Sequence, residues 1–325
     1  MNKRADIIIP AYNAEKTLAR TLKSLCKQTY KNFKVLIVND SSTDKTLEIA
    51  HAFDNKLDMS IINLKSNKGV SHARNIGIER TKEEYILFID SDDAVDEEYV
   101  EHLLTADEKN DFVIIQYRRN IGEKKPYIDG VTKEITVNEF KSKCWDLWST
   151  FRITNVWGVR YKRSIIKKNN IKFNTELKWG EDTEFNIAYL SNSKGMLALP
   201  YEEYIYFINQ NSVSRNYEKS RFANSLEVAK HFATFASDSE QLWMIKYIYW
   251  DMAVRHGINH LNDKTDRKWK KMIMKEMKRA IREPFFRDCI AEVLKKGSLD
   301  MKVYAFFLKI KCIRPYIFIA KKMNW

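Results

Sequence analysis

Five short apolar runs, at residues 7–9, 33–38, 59–64, 85–89 and 112–115, recur through the first 116 residues, and this rhythm limits the fold more than any other feature. Each run is continuous rather than alternating, the pattern of a strand buried on both faces. Between them, residues 15–27, 44–53, 70–80 and 96–108 carry apolar positions at helical spacing, as Leu18, Leu22 and Leu25 illustrate. Strands alternating with helices need crossover connections, and they predict an α/β fold with a mostly parallel sheet flanked by helices. Ligands on such a sheet bind beyond the carboxyl ends of the strands.

Those ends carry the chemistry. The first run leads into Pro10-Ala11-Tyr12-Asn13, the second into Asn39-Asp40-Ser41-Ser42-Thr43-Asp44, and the fourth into Asp90-Ser91-Asp92-Asp93. Three carboxylates in four residues repel one another unless a cation sits among them. An oxygen-ligated Mn2+ or Mg2+ that also bridges phosphates would supply that charge. Acids at a helix start, favoured by the helix dipole, would give the same pattern. Ser42-Thr43-Asp44 is placed to cap the second helix.

Beyond residue 116 the pattern changes. Residues 122–134 turn polar and extended, as in a hairpin, and 137–148 read as a Trp-rich helix. Residues 181–190 read as a helix, and 196–199 and 204–208 as strands. From residue 220 the chain is helical and basic: residues 218–325 hold 23 Lys and Arg against 12 Asp and Glu, most of the chain's net charge of +13. These shifts predict a catalytic domain over 1–217, with halves at about 1–116 and 117–217, and a helical region over 218–325. Such charge asymmetry points to an anionic partner surface, although a solvated helical face is equally charged. Cys26, Cys144, Cys289 and Cys312 form no CxxC pair, which argues against structural zinc and for a reducing cytosol. Residues 7–9 are too short for a signal peptide before they meet Pro10, and no run of about 18 apolar residues spans a bilayer.

An ordered series of motifs resembles the family 2 glycosyltransferases, inverting enzymes with the Rossmann-like GT-A fold. The resemblance runs from about Asp6 to Arg215. It rests on residues 9–13 and 38–44, Asn67-Lys68-Gly69-Val70-Ser71-His72-Ala73-Arg74-Asn75-Ile76-Gly77, residues 88–93, Trp179-Gly180-Glu181-Asp182, and Asn211-Ser212-Val213-Ser214-Arg215. It implies transfer of a sugar from a UDP-sugar donor to a hydroxyl of a glycan or lipid-linked acceptor in cell-surface polysaccharide synthesis. Pro10, Ala11 and Tyr12 would line the base, with Asn13, Asn67 and Ser91 also on the donor side. Asp40, an acceptor only, would take a uracil N–H. Arg74 would reach ribose, phosphate or sugar, though an exposed helical face is an ordinary place for an Arg. Asp90 would lie near ribose and metal, and Asp92 would bind Mn2+ or Mg2+ directly. Asp182 would be the general base, with Glu181 its rival, and the product would be β-linked from an α-linked donor.

Two positions depart from the family pattern. Asn209 stands where a His often helps hold metal or diphosphate; its amide oxygen could still join Asp92 and Asp90 on Mn2+ or Mg2+ but brings no charge, so either metal affinity would be lower or Arg215 would hold the diphosphate instead. Val159 stands where a Lys is frequent. Trp179 adjoins the base motif and could stack on an acceptor ring, whereas Trp145, Trp148 and Trp157 read as core. His256 and His260 lack the acid of a zincin motif and read as helix packing.

In the C-terminal region, Val303, Phe306, Phe307, Ile310, Ile313 and Ile317 form a helical stripe flanked by Lys302, Lys309, Lys311, Arg314, Lys321 and Lys322. Pro315 should kink or end that helix. The stripe reads as an interfacial helix docking on the inner face of a membrane, or as a surface packed on protein, a homo-oligomer included. Rival functions are a nucleotide-sugar or anionic-polymer binding protein without turnover, and a nucleotidyltransferase. Nucleic acid suits the basic charge, but the acidic strand ends repel its phosphates. A nucleotidyltransferase needs a Gly-rich basic loop after the first strand, where Pro10-Ala11-Tyr12-Asn13 stands.

Overall fold

A computed structural model describes residues 3–120, 132–136, 154–177, 180–208, 281–296 and 299–310, together with residues 139, 226, 228–230, 233, 242, 246, 271, 275 and 278–279. The chain forms two compact units, one built mainly from residues up to 212 and one mainly from residues beyond. The expected boundary at 217/218 lies outside the described residues, as do Trp179, Asn209, Arg215, Trp145, Trp148, His256 and His260.

The first unit has a sheet of eight strands. Strands β1 (Ala5–Ala11), β2 (Phe33–Asn39), β3 (Met59–Asn63) and β4 (Tyr85–Phe88) pair in parallel in the order β3-β2-β1-β4. All seven residues of β1 are buried, which explains its unbroken apolar run; β3, at the edge, is only partly covered. Pairing of Ala11 with Asn39, and of Ile8 with Phe88, brings the ends of β1, β2 and β4 to one edge.

Strand β9 (Val159–Lys162) follows in the sheet, antiparallel to both β4 and β6 (Phe112–Ile114). Strand β10 (Gly195–Ala198) and strand β8 (Lys133–Thr136) complete it. One sheet thus runs through both expected halves of the domain. The hairpin expected over 122–134 lies mostly outside the described residues; β8, at its end, pairs antiparallel with the distant β10. A smaller sheet joins β5 (Ala94–Val95), β11 (Tyr204–Tyr206) and β7 (Tyr117–Arg119).

Helices cover the sheet. Helix α1 (Leu18–Cys26) buries Leu18, Leu22 and Leu25. Helix α2 (Thr46–His51) has Lys45 at its N-cap, and Asp44 one residue earlier accepts the Thr46 N–H at 3.0 Å, so the expected capping segment adjoins the helix start without supplying the cap itself. Helix α3 (Val70–Arg80) starts at Gly69, whose φ of 91° lies in the region that favours glycine. It lies so close to β1 that a Cβ on Gly77 would sit 2.5 Å from Ile8 Cγ2.

Helix α4 (Tyr99–Thr105) precedes β6, α5 (Arg163–Lys168) follows β9, and α6 (Glu181–Leu190) precedes β10. Arg160 of β9 is fully buried without an ion-pair partner among the described residues. Its guanidinium instead donates to the carbonyls of Leu103, Ala106, Asp107 and Asn110 at 2.9–3.1 Å, closing the carboxyl end of α4 and the turn beyond. A cation there meets the negative end of the helix dipole.

In the second unit, α7 (Pro284–Lys296) packs on α8 (Leu299–Lys309). Phe286, Cys289, Ile290, Val293, Ala305 and Leu308 are buried, while Val303 and Phe306 on α8 and Ile310 just past its end are exposed. Burial pushes the Cys289 thiol up to about 12, as befits an inert core cysteine. Ile313 and Ile317 lie outside the described residues. Among those described, no helix is long and apolar enough to cross a membrane.

The approach of α3 to β1 generates a stability prediction. Gly77→Val adds a stiff branched side chain against Ile8 and is expected to cost about 1–3 kcal/mol. An unchanged midpoint in urea unfolding would show that the two elements separate freely.

Candidate active site

The loop between β4 and β5 carries Asp90-Ser91-Asp92-Asp93 above α1. Thr21 of α1 donates its hydroxyl to the carbonyls of Ser91 (3.1 Å) and Asp93 (2.7 Å), and the Arg20 guanidinium donates to the Asp92 carbonyl. Arg20 also lies over the Phe207 ring, 3.5 Å from its centroid. Asp93 is buried, accepting the Tyr204 hydroxyl at 2.8 Å on one oxygen and the Phe207 N–H at 2.9 Å on the other. Tyr204 in turn accepts the Asp90 N–H at 3.2 Å. The helix below and the β11 segment beside it hold the acidic loop, leaving the Asp92 carboxylate unengaged while that of Asp90 meets Arg74.

Each of these three acids offers a carboxylate oxygen within 4.8 Å of the others. The Asp92 carboxylate accepts no hydrogen bond from another described residue. Burial and the neighbouring Asp90 push its pKa up to about 6. For Asp93, burial with Asp90 and Asp92 pushes it up to about 8. The loop is short of positive charge and its donors are hard oxygens, which fits a Mg2+- or Mn2+-type ion held by Asp92 and Asp90.

Arg74 is the hub of the site. It lies in α3, 3% exposed, and donates to Asp90 Oδ1 at 3.0 Å and to Asp182 Oδ1 at 2.6 Å, with Glu181 Oε1 3.7 Å away. Burial alone would lower its pKa, but Asp182, Asp90 and Glu181 outweigh that and raise it. Three carboxylates around one guanidinium leave negative charge in surplus. Asp182 shows the result: burial, with Glu181 and Asp90 nearby, pushes it up to about 8 despite Arg74.

The placing of Asp182 follows from packing. Phe185, one turn along α6, stacks on Phe173 with centroids 4.1 Å apart, and both rings meet Phe88 edge-on. Asn75 of α3 locks Phe173 by donating to its carbonyl and accepting its N–H, both at 2.8 Å.

On the nucleotide side the sequence expectations divide. Pro10 and Ala11 are buried in the end of β1, whereas Tyr12 is 51% exposed and Asn13 is also exposed. Asn13 ties two strand ends together: its backbone N–H donates to Ser42 Oγ at 3.0 Å and its side-chain Oδ1 accepts the Thr43 N–H at 2.9 Å. Asp40 is buried and accepts the Lys68 and Gly69 N–H groups at 2.7–3.2 Å, so it fixes the start of α3. Asn67 is exposed just before that turn, and Ser91 is half-buried. Trp157 lies in the core as expected, stacked on Tyr204 at 4.3 Å.

The supporting roles of Arg20, Thr21, Asn75 and Tyr204 escape sequence reasoning. Only Asn75 stands in a motif, and the others sit at ordinary helix or strand positions.

Residues 6–168 match the family described as Glycosyl transferase family 2. The chain belongs to the family 2 glycosyl transferases. Among family relatives, the poly(ribitol-phosphate) beta-N-acetylglucosaminyltransferase TarP of Staphylococcus aureus (strain N315) is 30% identical over 268 residues, 78% of this chain and 80% of TarP. The uncharacterized glycosyltransferase EpsJ of Bacillus subtilis (strain 168) is 28% identical over 213 residues, 64% of this chain and 62% of EpsJ, so the chain matches less than two thirds of that relative. The crystal structure of S. aureus TarS residues 1–349 in complex with UDP-GlcNAc has a TM-score of 0.72 at 21% identity, covering 99% of this chain and 92% of that one. That likeness shows a shared GT-A fold.

The Arg74 hub can be tested by stability. Arg74→Met removes a buried cation from three half-buried acids and is expected to cost about 3–5 kcal/mol. A loss below about 1 kcal/mol in urea unfolding would mean that the acids are solvated.

Proposed function

We propose that this chain transfers a sugar, N-acetylglucosamine first among candidates, from a UDP-sugar to a hydroxyl of a cell-surface glycan or lipid-linked acceptor, with inversion at C1 and with a divalent ion. The observation that carries this reading is that one buried guanidinium, Arg74, holds both an acid of the Asp90–Asp93 loop and the acid of the base motif, Asp182. The UDP-GlcNAc complex of TarS and the name of TarP support the choice of donor and of a polyol-phosphate or similar glycan as acceptor.

The exposed Tyr12 ring offers a face for the base, next to the Asp40 turn. Asp92 and Asp90 would hold Mn2+ or Mg2+, and the bound ion would offset diphosphate charge as the nucleoside diphosphate departs. Arg74 keeps Asp182 within reach of the acid loop, so that the sugar would lie between leaving group and base. Asp182 takes the acceptor hydroxyl proton while that oxygen bonds to C1 and the C1–phosphate oxygen bond breaks on the opposite face. Burial and surplus acids raise the proton affinity of Asp182, which suits a base near neutral pH.

Two experiments follow. Release of UDP from UDP-GlcNAc is expected to need Mn2+ or Mg2+ and acceptor, and to fall by about 100-fold or more in Asp92→Ala and in Asp182→Asn. A base must be deprotonated, so kcat/KM should climb with pH towards about 8 and then level, and Asp182→Asn should lose that limb. Release that persists in both variants would refute the assignment.

The basic second unit extends the proposal to peripheral docking on an anionic inner leaflet, supported by exposed Val303, Phe306 and Ile310 beside Lys302 and Lys309. The full chain should float with vesicles containing phosphatidylglycerol, and Phe306→Ser with Ile310→Ser should abolish flotation; binding undiminished by the double change would exclude this face.

A further inference from the structure

A second group of ligating side chains stands apart from the Asp90–Asp93 loop. Glu98 and His102 lie one turn apart on and before α4, and Glu203 faces them from the segment that leads into β11. Each offers a donor atom, and all three donors fall within 4.8 Å of one another. His102 Nδ1 and Glu203 Oε1 are 2.7 Å apart, and the imidazole stacks on Tyr201 at 3.8 Å with an angle of 8°.

Glu203 is the telling member. Its residue is 8% exposed, and its second oxygen, Oε2, is buried with no hydrogen-bond partner. A buried carboxylate oxygen without a partner is costly and calls for an explanation such as an ion. Local charge agrees. Burial raises the Glu203 pKa; His102 works against this, and Asp96 and Glu98 add to the rise. The cation within reach, Arg118, is already engaged by both oxygens of Asp96 and by the Glu202 carbonyl.

The geometry points to a binding site for a divalent transition ion, with Zn2+ as the best fit, formed by Glu98, His102 and Glu203. One imidazole with two carboxylates suits an ion of borderline hardness, with a fourth position left for water. Two ligand atoms on one tetrahedral zinc stand about 3.3 Å apart, so the proton now shared between His102 and Glu203 would leave and the pair would open slightly. The ion would tie α4 to the residue preceding Tyr204. Through its hydroxyl, Tyr204 holds Asp93 and accepts the Asp90 N–H. The site would therefore brace the acidic loop from outside without supplying any of its ligands.

The test is zinc binding by the metal-stripped 325-residue chain, measured by equilibrium dialysis against ZnCl2. An Asp90→Asn, Asp92→Asn background silences the acidic loop, so the outcome is independent of the proposed reaction. That background is expected to retain one zinc per chain. Adding His102→Ala should weaken binding by about 100-fold, and adding Glu98→Gln, an exposed change that leaves the core untouched, by about tenfold or more. Far-ultraviolet circular dichroism checks that each variant is folded, and Glu98→Gln decides the matter if His102→Ala is not. Absence of bound zinc in the silenced background, or affinity unmoved by Glu98→Gln, would overturn the proposal.

Discussion

Placing one guanidinium out of water among three carboxylates is the constraint on which the catalytic unit depends. Moving Arg74 into the interior costs several kcal/mol, and only the convergence of Asp90, Asp182 and Glu181 offsets it. The acids arrive from two separate elements, Asp90 from the end of β4 and Glu181 with Asp182 from the start of α6, so these and α3 must meet together or not at all. The stacked Phe173 and Phe185 rings, with Phe88 edge-on, keep water out and make those ionic contacts strong. Packing and electrostatics are thus one device here.

The same device leaves the cleft with more negative than positive charge. Arg74 faces three acids, and Arg20 lies beside Asp92 and Asp93 while its own proton affinity is lowered by burial. A diphosphate entering this cleft would add to the excess. Burial first, and that excess with it, raises Asp92, Asp93 and Asp182 above the ordinary carboxylate range, and a bound cation would offset the surplus.

Much of this was legible in the sequence, for reasons that can be named. Helices α3 and α6 begin and end where periodicity places them, and β1 to β4 deviate only at their ends, because continuous apolar runs report burial on two faces directly. Strand β9 was not legible. Its Val-Arg-Tyr-Lys sequence alternates charge with bulk, and it becomes a central strand because Arg160 finds four carbonyls on another element. The site shows the same division. The motif acids announce themselves, but the bond from Arg74 to Asp182 spans 108 positions and no local pattern encodes it. Burial of Pro10 and Ala11 likewise depends on how β1 sits between its neighbours.

The insertion of β9 between β4 and β6 bears on how the chain can be made. Synthesis delivers β4 and β6 well before residues 159–162 emerge from the ribosome. Until then both strands present unpaired backbone edges, and these are the surfaces through which nascent chains misassemble. The sheet closes only when a late, charged segment slides between two early, greasy ones. Slow translation before that point would lengthen the hazard, and chaperone capture of the half-made sheet would shorten it.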